Sequence, residues 1–187
     1  EDFILPTDGS VGFFDNTDNG TLDGEFLIQP PSGVCAPDDF SGWCSDDPIQ
    51  KSAWFSFVAP TDGAVYVDLC HDGNGTEFLT QLAIYSYTDC NDFNTYTFVS
   101  GNEFSPFCAL GSQLSSCNLN PGENYLLMVD GYQAASGVFA ISIDSIADPN
   151  AGTGSLQNVC KNTPSYDLRE GLTGDAQFGG YWIDFDN

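Results

Sequence analysis

The chain has 187 residues, enough for one well-buried core and a remainder too short for a second complete domain of ordinary size. It carries 27 acidic residues against three basic ones (Lys51, Lys161 and Arg169), a formal charge of −24. So anionic a surface repels phosphate backbones and acidic headgroups, which excludes nucleic acid as a partner, and no apolar run approaches the ~20 residues that span a bilayer, so direct membrane insertion is not expected.

In chain order, residues 1–25 are rich in Asp, Asn, Gly and Thr, and the run from Asp15 to Glu25 reads as turns and loop. The first strand-like run is Ser52-Ala-Trp-Phe-Ser-Phe-Val58. After the turn Pro60-Thr-Asp-Gly63 comes Ala64-Val-Tyr-Val-Asp-Leu69, and the pair reads as a hairpin. Further β-type runs are 80–87, 95–99, 124–130 and 137–143, each bounded by Gly, Pro, Asn or Asp. Runs of five to eight residues, aromatic and β-branched and separated by turn clusters, predict an all-β antiparallel sandwich. Trp54, Ser56 and Val58 alternate with Phe55 and Phe57, a pattern for an inner strand partly covered on both faces. The expected core is Phe55, Phe57, Val65, Val67, Leu82, Ile84, Leu127, Val129, Phe139 and Ile141.

Composition shifts at Ala147, where small, polar and turn-forming residues cannot bury apolar area. The expected organisation is a sandwich domain over 1–146, a linker over 147–157 and an incomplete second β unit over 158–187. Two isolated strand candidates in so short a segment form no stable sandwich by themselves.

Seven cysteines fall as three closely spaced pairs, Cys35 with Cys44, Cys70 with Cys90 and Cys108 with Cys117, and an orphan, Cys160. None has a zinc spacing such as C-x-x-C, so all six paired cysteines read as disulfides of an oxidising compartment, and the protein as extracellular or displayed on a cell surface. Six cysteines allow fifteen connectivities; neighbour pairing would close short loops worth roughly 2 to 3 kcal/mol each. Cys160 is left unpaired or intermolecular.

His71 is the only histidine, so any Ser-His-Asp or Cys-His centre has to use it, and no G-x-S-x-G elbow accompanies it. A lone His beside Cys70 in a turn reads as a loop residue. With 27 acids, carboxylate pairs at glycosidase spacing arise by coincidence, and a small sandwich with short loops offers little cleft. No enzyme is expected. No cofactor is expected beyond Ca²⁺, for which Asp15, Asp18, Asn19, Asp23 and Glu25 supply hard oxygen ligands within eleven residues, although Glu25 at the eleventh position and Thr17 at the third do not match an EF-hand. A second cluster is Asp38, Asp39, Asp46 and Asp47. Solvated acidic turns are the favoured reading of both clusters. Trp43, in an acidic loop, is the leading candidate to stack on a sugar, followed by Tyr87, Tyr96 and Tyr132; each also reads as a core plug. Asn19 and Asn74 begin N-glycosylation sequons. Asp144-Ser145-Ile146 resembles the Bacteroidota O-glycosylation motif, with Ser145 as acceptor.

The order Ala53-Trp-Phe-Ser-Phe-Val-Ala-Pro60, Gly63-Ala-Val-Tyr-Val67, Cys70, Thr80-Gln-Leu-Ala-Ile-Tyr85, Cys90, Cys117-Asn-Leu-Asn-Pro-Gly-Glu-Asn-Tyr125, Val129-Asp-Gly131 and Gly137-Val-Phe139 resembles bacterial pre-peptidase C-terminal-like domains, in the versions found in large Bacteroidota surface proteins. The likeness covers roughly residues 25 to 145. It implies a small jelly-roll β-sandwich, non-catalytic, accessory to secreted hydrolases or a building block of adhesins. Where many relatives carry an Asp before Thr-Gln-Leu, this chain has Phe78-Leu79. In the tail, Asn158-Val-Cys160, Leu172-Thr-Gly174 and Gly179-Gly-Tyr-Trp-Ile-Asp184 resemble the opening half of repeats in gliding-motility-associated and type IX-secreted proteins. That likeness implies that the partner of Cys160 lies outside this sequence or in another molecule.

The resulting expectation is a non-enzymatic structural or adhesive module of a modular surface protein, whose partners are other modules of the same protein, neighbouring copies or glycans. Two alternatives stand beside it: a carbohydrate-binding accessory of a secreted hydrolase, and a fibre subunit joined by strand addition through the C-terminal segment.

Overall fold

A computed structural model describes residues 3–33, 42–71, 75–103, 105, 107–117 and 119–146, together with the backbone of 153–154 and 172–173. The chain divides into two units, Glu1–Ile146 and Ala147–Asn187.

Among its described residues the first unit has eight strands: β1 (Gly12–Asp15), β2 (Ala53–Val58), β3 (Val65–Asp68), β4 (Thr80–Ser86), β5 (Thr97–Asn102), β6 (Gln113–Ser116), β7 (Asn124–Gly131) and β8 (Val138–Ser145). They form two four-stranded antiparallel sheets, ordered β2-β7-β4-β5 and β1-β8-β3-β6. The pairings are nested: β4 with β5, β3 with β6, β2 with β7, β1 with β8. That is one long hairpin rolled around a core, the jelly roll, and the antiparallel sandwich expected from the sequence.

Alternation fixes which side chains reach the core. Phe55 and Phe57 on β2 and Leu127 and Val129 on β7 point inward from one sheet; Val65 and Val67 on β3 and Phe139 and Ile141 on β8 meet them from the other. Every residue of the expected core is buried in this cluster, joined by Leu5, Leu69, Phe78, Leu114, Leu119, Tyr125 and Ile143. A fully buried side chain such as Phe57 or Phe139, both 0% exposed, contributes about 1.5–3 kcal/mol. Phe14 and Phe55 meet edge to face at 4.7 Å, and Phe57 stacks on Tyr125 at 5.8 Å.

The structure corrects two sequence expectations. β2 and β3 are not a hairpin: they lie in different sheets, and 59–64 is an arch between them. The Pro60 turn forms, with Gly63 N donating to Pro60 O at 3.0 Å. The arch is then held by segment 119–123, through Ala59 N to Glu123 O and Leu119 N to Gly63 O. Both strands present bulky apolar residues to the core, and facing one another across it buries more of that area than lying side by side. Residues 1–25 are not wholly loop either. Segment 3–5 pairs in parallel with β2 at Ser56, Asp8 bridges Asp144, and β1 continues antiparallel along β8, so this segment covers one edge of each sheet.

In the second unit, β9 (Thr153–Gly154) pairs antiparallel with β10 (Leu172–Thr173). β9 falls inside the stretch read as linker.

Candidate functional site

The outer face of the β2-β7-β4-β5 sheet carries a second, smaller core. Ile28, Trp43, Ile49, Ala83, Tyr85 and Met128 are buried there, with Trp54, Phe93, Tyr96 and Phe98 packed against them. Segments 16–31 and 42–52 lie over this face. Trp43 is 0% exposed, and its Nε1 donates to the Leu82 carbonyl on β4 at 2.9 Å. This overturns Trp43 as a glycan contact: the acidic loop around it places its indole inward, where the N–H finds a strand carbonyl. Tyr85 Oη likewise donates to Ile28 O at 2.8 Å; burial, and then the Glu25 and Asp130 carboxylates, push its phenol far up from the usual tyrosine range.

Two buried carboxylates fasten the covering segments. Glu25, 0% exposed, accepts from Ser52 Oγ (2.5 Å), Trp54 Nε1 (2.7 Å) and Leu22 N (2.7 Å). Asp130, also 0% exposed, accepts from Gln50 N at 2.9 Å and Lys51 N at 2.6 Å. Burial raises Asp130 above the usual carboxylate range, against backbone N–H bonds from Gln50, Lys51 and Gly131 that lower it, with Glu25 adding to the rise. The expected calcium set is therefore not assembled. Glu25 is turned inward, Asn19 Nδ2 donates to Ser52 O at 2.8 Å, and Asp15 Oδ1 accepts from Thr17 N at 2.8 Å. Among the described residues no three His, Cys, Asp or Glu side chains are placed to share a metal ion. Of the second acidic cluster, Asp38 and Asp39 lie outside the described residues.

Beyond the covered part, the same face opens into a groove of about 210 Å³ lined by Phe3, Trp54, Phe55, Ser56, Tyr87, Cys90 and Leu126. One wall is an aromatic ladder, in which Trp54 lies 5.7 Å from Tyr96 and Tyr96 lies 5.9 Å from Tyr87. The 87–96 connection folds back to form it, with Tyr96 Oη donating to Cys90 O at 2.9 Å and Asp92 capping the short 3₁₀ helix Phe93–Thr95 through Asn94 N. At this size the groove holds a flat group rather than enclosing a small molecule. Of its lining, the sequence pointed only to Tyr87. Phe3 is recruited from a segment read as loop, and Trp54 is aimed here only because Phe55 and Phe57 claim the core.

The disulfide framework differs from neighbour pairing. Cys70 bonds Cys108, with Cα atoms 5.5 Å apart, and Cys90 and Cys117 are free and exposed. Strand length is the reason. β4 runs seven residues between Cys70 and Cys90, carrying the chain about 20 Å, and β6 intervenes between Cys108 and Cys117, whereas a disulfide needs Cα atoms within about 7 Å. Cys70 follows β3 and Cys108 precedes β6, so the bond clasps the end of that ladder, where Leu69 N donates to Ser112 O at 3.0 Å. Cys44 is disulfide-bonded. Cys35, Asn74 and Cys160 lie outside the described residues. Ser145 is exposed at the end of β8, opposite Val65. His71 Nε2 is shielded and has no hydrogen-bond partner, so it bonds no serine, cysteine or carboxylate.

No protein-family model and no curated protein matches the sequence. Among solved structures the chain is similar to the pre-peptidase C-terminal domain of collagenase from Bacillus anthracis, at 8% identity and a TM-score of 0.37, over 77% of this chain and 97% of that one.

Proposed function

We propose that this chain is an extracellular, non-catalytic module of a modular surface protein, acting as a stiff structural or adhesive unit. The observation that carries the reading is the Cys70–Cys108 clasp on a jelly roll whose outer face is itself packed and covered. A disulfide between connections 38 residues apart belongs to an oxidising compartment and restrains the chain over that whole span. The buried carboxylates Glu25 and Asp130 are spent on loop donors and backbone N–H groups rather than aimed into a cleft. The partners in this reading are neighbouring modules or copies.

The test is the oxidised, purified chain. Resistance to proteinase K that collapses with dithiothreitol, and no turnover of peptide or glycoside substrates, is the expected result. Hydrolysis abolished by a single carboxylate substitution overturns it.

The groove favours a second reading, a carbohydrate-binding accessory module, because Phe3, Trp54 and Tyr87 offer ring faces beside the Ser56 hydroxyl. Retardation on neutral polysaccharide gels that disappears in Tyr87→Ala supports it; unretarded migration on every polysaccharide removes it. The fibre alternative depends on the segment after 157, of which only the backbone of 172–173 is described, and electron microscopy of the purified chain decides it.

A further inference from the structure

The groove on the outer face is walled by aromatic rings, and none of its lining residues is charged. Phe3, Trp54 and Tyr87 supply rings, and Tyr96 stands between the last two, 5.7 Å from Trp54 and 5.9 Å from Tyr87. An aromatic ring carries negative potential on its face, and the indole of Trp carries the most. Trp54 is enriched further, because its Nε1–H donates to the Glu25 carboxylate at 2.7 Å and that bond polarises the ring.

The surroundings of the groove are anionic. The 87–96 connection, which forms one wall, carries Asp89 and Asp92 and no Lys or Arg. Among the described residues Lys51 is the only Lys or Arg, and its ammonium is engaged by the Thr17 carbonyl at 3.0 Å. The whole chain carries a formal charge of −24, which concentrates cations at its surface and speeds their arrival. The side-chain polar groups of the lining are two, and both are set to accept. Ser56 Oγ directs its hydrogen to Phe3 O at 3.5 Å, leaving its lone pairs outward, and Cys90 Sγ accepts from Asn91 Nδ2 at 3.5 Å. A sugar asks for donors as well as acceptors around its edge; a cation that only donates does not.

Shape selects among cations. A groove of about 210 Å³ takes a flat group carried by a larger molecule. A lysine ammonium is compact and strongly hydrated, whereas a guanidinium is planar, weakly hydrated and stacks on aromatic rings. A second copy of this chain is a poor source of one: the sequence holds a single arginine, Arg169, among 27 acids, and two such chains repel. We propose that the groove docks an arginine side chain of a basic partner polypeptide, its guanidinium packed among Phe3, Trp54 and Tyr87 and its N–H groups left to water and to acceptors at the mouth. This goes beyond the structural role proposed above, and it competes with a sugar for the same groove.

The test is fluorescence anisotropy of a dye-labelled Gly-Arg-Gly-Arg-Gly peptide titrated with the full chain at about 0.15 M salt, where attraction between well-separated exposed charges is largely screened. Its lysine counterpart keeps the charge without the plane, and its citrulline counterpart keeps the plane without the charge. The arginine peptide is expected to bind at least about fivefold tighter than either. Tyr87→Ala weakens it by about fivefold, while Tyr87→Phe, which keeps the ring, leaves it within about twofold. Phe3→Ala, at a side chain 52% exposed, is the second variant and weakens the same peptide by a similar factor. Equal affinity for the arginine and lysine peptides, untouched by Tyr87→Ala and Phe3→Ala, reports diffuse attraction to an acidic surface and overturns the proposal. Binding of cellohexaose that is lost in Tyr87→Ala, with no binding of the arginine peptide, overturns it in favour of the sugar reading.

Discussion

Trp43 Nε1 donates to the Leu82 carbonyl at 2.9 Å, fastening a loop residue to a central strand across 39 positions of sequence. The indole fills the middle of the outer core and satisfies a strand acceptor with the same side chain. Trp43→Phe keeps most of the apolar volume and removes the donor, so urea denaturation should show a loss of about 1–3 kcal/mol. Trp43→Ala also leaves a cavity, and the loss should reach about 3–5 kcal/mol.

Removing the Cys70–Cys108 bond frees the 38-residue span it restrains in the unfolded chain, a cost of about 4 kcal/mol in the chain-entropy account. The Cys70→Ser, Cys108→Ser double variant should unfold at correspondingly lower denaturant. Cys90→Ala and Cys117→Ala should leave the midpoint in place, since neither thiol is bonded. Mass-spectrometric mapping of the oxidised protein should find a 70–108 linked peptide and no 70–90 one.

Gly111 sits where the chain passes beside the end of β3. A Cβ built at this position collides with the Leu69 carbonyl, and that oxygen belongs to backbone that cannot swing aside. Gly111→Ala should therefore destabilise the protein by several times the few tenths expected of a surface change, about 2 kcal/mol or more. Because the clash adjoins Cys70, oxidative refolding of this variant should also give a lower yield of the native bond.

Asp130 gives stability an unusual dependence on pH. Its folded value is raised above the ordinary 3.8, so the native state holds a proton that the unfolded state releases. Its contribution is fully present below 3.8 and is lost as pH rises through the raised value. Asp8, Asp15 and Asp92 run the other way. Each is lowered, first by a side-chain hydrogen bond from Ser10, Thr17 or Asn94, so their contribution is present above 3.8 and lost as pH falls below it. Asp130→Asn should remove the decline above 3.8 and leave the loss at lower pH unchanged. Melting curves of both proteins from pH 3 to about 7 test this; parallel profiles would show that Asp130 does not titrate as described.

Much of the body was legible because alternation is a local property. Phe55 and Phe57 against Trp54 and Ser56, or Leu127 and Val129 against Leu126 and Met128, reveal strand and inward face within a few residues. β6 was missed since Gln113-Leu-Ser-Ser116 offers one apolar side chain, and β1 because its Gly and Asp neighbours mimic turn chemistry. The groove was almost invisible: Phe3, Trp54, Tyr87 and Leu126 come from four separate segments.

The sequence by itself determined the fold class and the core, since composition and period-two patterning do not depend on which strand lies beside which. Only the tertiary structure decided the partners. Cys70 reaches Cys108 and not Cys90, Trp43 turns inward, and Glu25 serves Ser52 and Trp54 in place of a metal. Rolling the chain returns most strands to ones distant in sequence, as β2 to β7 and β1 to β8, and a strand carries its two ends about 10–20 Å apart. Nearness along the chain is therefore a poor guide to which cysteines and loop side chains meet across the fold.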